Sequence, residues 1–293
     1  MLLKRHLFLV LLVLLGLGVS APAQADVCSN PTIAGVSLTA GASLDLFESG
    51  PLPVTFKVAV AADPKPCTLG LAIGGQSFSL NGTSLPFTVK AIGGSPSFDN
   101  NTGAPSTITV PSDGQVELQA LLNGPVFAPA GTYTAPLQLQ LFNNGTPVGN
   151  VYTYNLALSV QAKAQINIAG SSGSFGSGGT VDKVDFGELE TGESRTVYVQ
   201  LLSNADVNVS FSSQNGLKLL HTVAPDRTPI AYTATFNGSG LPLTSPGAIY
   251  KVSKAADTSM MGSSLPLTLT VGAVKDNIAG TYKDIITIDV DTQ

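Results

Sequence analysis

The segment Val116-Glu117-Leu118-Gln119-Ala120-Leu121-Leu122, then Ala130-Gly131-Thr132-Tyr133, then the alternating Leu137, Leu139 and Leu141, occurs twice in the chain. Moving every number by 149 lands on Leu265, Leu267, Leu269 and Val271, on Ala279-Gly280-Thr281-Tyr282, and on Ile286, Ile288 and Val290, without a gap. Apolar residues at every second position turn one face of an extended strand to a core and the other to water. Each copy therefore reads as a strand, a short loop carrying Ala-Gly-Thr-Tyr, and a second strand.

The surrounding sequence agrees. Val54, Phe56, Val58 and Val60 alternate in the same way, as do Tyr152, Tyr154, Leu156, Leu158 and Val160. Asn-Gly pairs at 81–82, 144–145, 215–216 and 237–238 supply turn chemistry between such runs. Only 11% of the residues are charged, and no convincing helical periodicity follows the N-terminal segment. The fold class is all-β, with two immunoglobulin-like β-sandwiches in tandem, residues 26–162 and 163–293. In such sandwiches a corner tyrosine ties down a late strand, a role expected of Tyr133 and Tyr282 in strand F of each domain.

Residues 1–25 have the form of a secretory signal peptide: Lys4, Arg5 and His6, the apolar run Leu7 to Val19, and Ala23-Gln24-Ala25 at the cleavage-type spacing. Its removal takes two of the 14 basic side chains and none of the 19 acids, so the mature chain, starting near Asp26, carries 12 − 19 = −7. An acidic chain without Lys/Arg runs has no footprint for nucleic acid or an anionic membrane. Cys28 and Cys67 are the only cysteines. In an exported chain they are expected to form a disulfide, closing a loop of about 40 residues for roughly 4 kcal/mol in the chain-entropy model. Free thiols are the competing reading, and two Cys are too few for a thiolate metal site.

The halves part company after strand F. In the first, Asn143-Asn144-Gly145 turns the chain back into Val151 to Val160, which can close the sandwich as strand G; in the second, Gln293 stands three residues after Val290. The second domain is thus expected to lack strand G and to offer a groove lined by Leu265, Leu267, Leu269, Tyr282, Ile286, Ile288 and Val290, to be filled by a strand of another chain. A complete sandwich of fewer strands is the alternative.

Three stretches carry a family resemblance: Val184-Asp185-Phe186-Gly187, taken to open the first long strand of domain 2; Ile230-Ala231-Tyr232-Thr233; and Ala279-Gly280-Thr281-Tyr282-Lys283-Asp284-Ile285-Ile286-Thr287-Ile288. With these the chain resembles the subunits of chaperone-usher pili, in the branch of the archaic and spore-coat-protein-U-like pilins. Domain 2 departs from that family in having no cysteine pair. The resemblance implies a periplasmic pilus chaperone that first supplies the missing strand, an outer-membrane usher, the N-terminal donor strand of the adjacent pilin, and export through the periplasm to the cell surface. Only Asp26 and Val27 precede Cys28 after cleavage, so the chain is expected to accept a strand without donating one. That fits a tip adhesin attaching to a biotic or abiotic surface; a structural pilin or a secreted spore-coat-U-like protein is the alternative. A periplasmic chaperone, also built of two such domains, is disfavoured because its second domain would be complete.

Strand directions put the F-G turn, 143–150, at the end of domain 1 away from domain 2, together with the B-C loop at 61–66 and the D-E loop at 93–106. Pro64, Pro66, Phe98, Pro105, Pro147 and Val148 in these loops are the candidate adhesive residues, a cluster suited to hydrophobic or weakly polar surfaces. Catalysis is not expected. His221 is the one histidine outside the signal segment, within an expected strand at 217–222, and no triad or metal set surrounds it in the sequence. The Gly/Ser stretch 169–180 lacks the Lys and the helix of a phosphate loop and reads as a flexible connection. No cofactor is called for.

Overall fold

The computed structural model describes residues 26–40, 43–44, 52–122 and 127–293; the expected signal peptide lies outside the described residues. Every regular element among them is a β-strand. The first half contains β1 (Asp26–Val27), β2 (Ser29–Ala40), β3 (Ser43–Leu44), β4 (Leu52–Asp63), β5 (Cys67–Gly74) and β6 (Ser77–Leu80). It continues through β7 (Thr83–Ala91), β8 (Ser97–Phe98), β9 (Ser106–Val110), β10 (Gln115–Leu122), β11 (Gly131–Asn143) and β12 (Thr146–Val160).

One layer runs β9-β5-β11-β12 and the facing layer β2-β4-β10-β7, with β6 pairing both β11 and β7. The alternation fixes the inward face: Val116, Leu118, Ala120 and Leu122 are buried while Glu117 looks out. They meet Phe56, Leu71, Tyr133, Leu137 and Leu156 in a single core. Cys28 and Cys67 form a disulfide, as expected, and β1 pairs in parallel with the start of β5 beside it.

The second half contains β13 (Ala164–Ala169), β14 (Ser194–Ser203), β15 (Val207–Ser213), β16 (Lys218–His221) and β17 (Ile230–Phe236). There follow β18 (Ser239–Gly240), β19 (Ile249–Lys254), β20 (Ser263–Val271), β21 (Tyr282–Lys283) and β22 (Ile286–Thr292). One layer is β13-β14-β20-β17, the other β19-β15-β22. A separate core lies between them, built around Val199, Leu201, Val209, Phe211, Leu243 and Leu267.

The repeat survives in three dimensions down to single hydrogen bonds. Tyr133 Oη donates to the carbonyl of Pro129 at 3.0 Å, and Tyr282 Oη to that of Ile278 at 2.8 Å, each four residues upstream. The preceding Gly131 and Gly280 have φ of +144° and +152°. A Cβ at either would strike a packed side chain, Leu80 in the first domain and His221 in the second. That pairing of backbone angle and close approach is why Gly precedes Thr-Tyr in both copies.

Two expectations about domain 2 need correction. Val184 to Gly187 does not open a strand: it lies in an irregular segment between β13 and β14, and β14 begins only at Ser194. The Gly/Ser stretch is a pinned loop, not a loose connection. Gly170 N–H donates to Gly179 O, and the buried Gln200 carboxamide accepts from Gly176 N–H at 3.1 Å and donates to Ser177 O at 2.9 Å. A buried amide whose partners lie in a loop holds that loop in place, because a loop that moved away would leave the amide unpaired at a cost of about 1–3 kcal/mol.

Candidate functional site

β22 pairs with β15 along its whole length, from Ile286↔Ser213 to Thr292↔Val207. No described strand pairs with its other edge. Ile286, Ile288 and Val290 point toward the core from this strand but are only half-buried. The opposite lip is β13, which pairs with β14 on one side only, with Ile166 and Ile168 half-buried. Thr180 and Val181 cap the far end of β13, where Val181 N–H donates to Ile168 O. Val181, Val184 and Phe186 continue the apolar lining, and the Arg195 guanidinium lies over the Phe186 ring at 5.9 Å. Two sheet edges with half-exposed alternating apolar side chains and unpaired peptide groups can bind an extended strand, the backbone supplying affinity and the pockets between side chains supplying selectivity.

The mouth of β22 is held by a half-buried acid. Asp284 Oδ2 accepts from Ser213 Oγ at 2.6 Å and Tyr232 Oη at 2.7 Å; Oδ1 accepts from Asn215 N–H at 3.0 Å and Ile285 N–H at 2.7 Å. Ser213 Oγ in turn accepts from Leu217 N–H. Burial first, and the neighbouring carboxylate second, push the Tyr232 phenol far above its usual range, so it stays a donor. The network ties β15, β17 and the start of β22 together. It gives a physical reason for tyrosine at 232 and aspartate at 284.

Of the expected groove residues, Ile286, Ile288 and Val290 lie on the lip, and Leu265 is half-buried nearby. Leu267 and Leu269, 3% and 8% exposed, are not on an edge: β20 is paired on both sides, by β14 and β17, and these leucines belong to the core between the layers. Tyr282 sits at the corner, edge-on to His221 at 5.2 Å. The sequence reading missed β13, Val181, Val184 and Phe186 as the second lip, although Ala164, Ile166 and Ile168 alternate visibly.

His221 is buried, and its ring is consumed by structure. Nδ1 accepts from the amides of Val223 and Ala224 at 3.1 and 3.0 Å, which puts the proton on Nε2, facing Ala279 O at 3.3 Å. Neither nitrogen is left to serve as a base.

At the other end of the molecule, Asn143 Nδ2 donates to Cys28 O, so the β11–β12 turn, the disulfide and the loop 61–66 share one pole. Pro64, Pro66, Pro105 and Pro147 are exposed there and Val148 is half-exposed. Pro147 and Val148 belong to β12, paired with Phe142 and Leu141, and are not loop residues. Phe98 is a further correction. It is 3% exposed, packed in the first core through the β8 pairing with Val89, and unavailable to a surface. A shallow depression between Ser29, Asn30, Ala61 and Pro64 lies at the same pole.

No protein-family model and no curated protein matches the chain. Among solved structures it is similar to the CsuC-CsuE chaperone-tip adhesion subunit pre-assembly complex from archaic chaperone-usher Csu pili of Acinetobacter baumannii. The identity is 16%, over 90% of this chain and 91% of that one, with a TM-score of 0.45. It is also similar to CfaE, the adhesive subunit of CFA/I fimbria of enterotoxigenic Escherichia coli, at 15% identity, 88% and 81% coverage and a TM-score of 0.38. For the CupB6 tip adhesin from Pseudomonas aeruginosa the figures are 13%, 90%, 96% and 0.33.

Proposed function

We propose that the protein is a tip adhesin of a chaperone-usher pilus: domain 2 accepts a strand from another polypeptide and domain 1 attaches to a surface. The observation that carries this reading is the open edge of β22, whose Ile286, Ile288 and Val290 stay half-exposed with no described strand beyond them. Filling it with about five apolar side chains, at ~1.5 to 3 kcal/mol each, contributes on the order of 10 kcal/mol before ordering costs. A periplasmic chaperone supplies the first strand, the N-terminal segment of the adjacent pilin replaces it at the outer-membrane usher, and the subunit reaches the cell surface. The segment Asp26–Val27 is engaged with β5 next to the disulfide, consistent with a subunit that accepts without donating.

Expression with and without a pilus chaperone tests the groove: the chaperone should raise the yield of monomeric protein severalfold and raise the unfolding midpoint of domain 2. Equal yield and equal stability with and without the chaperone would remove the proposal. The attachment face is the distal pole of Pro64, Pro66, Pro105, Pro147 and Val148, each contact adding ~1 to 2 kcal/mol by area. Changing Pro64, Pro147 and Val148 together to Ser should leave assembly normal and reduce fibre adhesion to a hydrophobic surface severalfold. Unchanged adhesion would exclude this pole.

A further inference from the structure

The turn between β14 and β15, residues 203–206, holds domain 1 and both lips of the groove at once. Asn204 is 1% exposed, and its side chain and backbone bond two other chain segments, 128–130 and 161–163. Its Oδ1 accepts from Lys163 N–H at 2.7 Å; its Nδ2 donates to Gln161 O at 2.9 Å and to Ala128 O at 3.3 Å. On the backbone, Asn204 N–H donates to Lys163 O, and Asn204 O accepts from Ala130 N–H at 2.9 Å. Ala130 immediately precedes β11 of domain 1, and Lys163 immediately precedes β13, the first lip, whose Ala164 pairs with Ser203. The second lip ends on the same turn: Gln293 N–H donates to Asp206 O, and Thr292 pairs with Val207. The turn is itself braced by Asp257, which accepts from Ser203 N–H and forms an ion pair with Lys254.

A strand lying between two neighbours needs them roughly 9.5 Å apart, twice the inter-strand spacing. Some Cα atoms of β13 and β22 lie within 8 Å of one another. A strand entering along that stretch therefore moves at least one lip, and each lip is fastened to the 203–206 turn. We infer that occupancy of the groove is coupled to the seating of domain 1 through Asn204, so that strand capture in domain 2 and the orientation of domain 1 form one linked equilibrium. This inference rests on the strand-accepting reading given above. Linkage is reciprocal: whatever reseats domain 1 changes the affinity of the groove by the same factor. The differential contacts are the Asn204 hydrogen bonds to Ala128, Ala130, Gln161 and Lys163, whose geometry changes as the lips part.

The test is amide hydrogen exchange on the mature chain, residues 26–293, with and without a saturating synthetic peptide of the sequence Val148–Val160, the strand that covers β11 in domain 1. Entry of the peptide should slow exchange in Ile286–Val290. The coupling requires, in addition, a change of at least about fivefold at the Ala130 amide, which lies in domain 1 outside the groove. Protection at 286–290 with no change at Ala130 would overturn the coupling and leave the groove standing. No protection at 286–290 would overturn both. In Asn204→Ala the peptide should bind with an affinity altered by threefold or more, and exchange at Ala130 should no longer respond to it; equal affinity and an intact response would also overturn the coupling. Because the exchange experiment needs no substitution, the inference stays testable should Asn204→Ala fail to fold.

Discussion

β11 and β22 occupy matching places in the repeat, and they differ in what lies beside them. In β11, Leu137, Leu139 and Leu141 are 0%, 0% and 3% exposed, because β12 runs antiparallel beside them, pairing Leu137 with Tyr154 and Leu139 with Tyr152. In β22 the counterparts Ile286, Ile288 and Val290 carry the same alternation and the same aliphatic character, yet remain half-buried. Side-chain chemistry cannot account for the difference, since isoleucine and valine are at least as suited to a buried strand as leucine. The neighbour accounts for it. The first domain thus displays what a covered edge looks like in this protein, and the second shows the same edge with no described strand beside it.

The largest effect should come from erasing that difference. Replacing Gln293 by Asn and appending a copy of Gly145–Val160 preserves the 149-residue register and gives β22 a partner of its own. Burial of the lip residues and of the new strand should raise the midpoint of domain 2 by more than about 10 °C in calorimetry, with domain 1 unmoved. An unchanged midpoint would mean that the edge is already satisfied, and the comparison between β11 and β22 would lose its meaning.

A second contrast lies in covalent bracing. Domain 1 has the Cys28–Cys67 bridge over a separation of 39 residues, whereas domain 2 has none. Cys28→Ser with Cys67→Ser should cost domain 1 about 4 kcal/mol in the chain-entropy account. Exchange rates at Leu137–Leu141 should rise by two to three orders of magnitude while those at Val209 and Phe211 hold. Equal acceleration in both domains would show that they unfold as one unit.

Much of this architecture was legible in the sequence because it depends on period and on local chemistry. Alternation marked β10, β12 and β20, and the Gly-Thr-Tyr pair marked both corners, whose hydrogen bonds then fell four residues upstream in each copy. What was not legible depends on neighbours distant in sequence. Leu265, Leu267 and Leu269 alternate identically whether β20 is an edge or, as found, is flanked by β14 and β17. Phe98 looked like a loop residue because β8 is a two-residue strand, too short to show a period, and only its pairing with Val89 draws the ring inward. Val184 and Phe186 alternate like strand residues while serving as a wall with no ladder. Asn204 gave no signal at all, since an asparagine in a turn is ordinary until its side chain proves to be 1% exposed.

The smallest effect is the most direct measure of what a covering strand contributes. Tyr133 and Tyr282 make the same hydrogen bond, but Tyr133 is fully buried, with burial raising its phenol above the usual range, whereas Tyr282 is half-buried. Removing the hydroxyl should therefore cost unequally. Tyr133→Phe leaves a carbonyl without its partner where water enters poorly and should lose about 1.5 kcal/mol; Tyr282→Phe, where solvent can replace the bond, about 0.5 kcal/mol. Denaturant titration resolves a difference of that size when each domain is followed separately. The decisive step is to repeat Tyr282→Phe in the chain extended by the Gly145–Val160 copy. If an uncovered edge is the reason the second corner is weaker, the cost there should climb toward the Tyr133 value once the edge is closed. Should it stay at about 0.5 kcal/mol, the inequality belongs to the corner itself, to the packing of Tyr282 on His221 as against that of Tyr133 in the first core, and not to the missing neighbour.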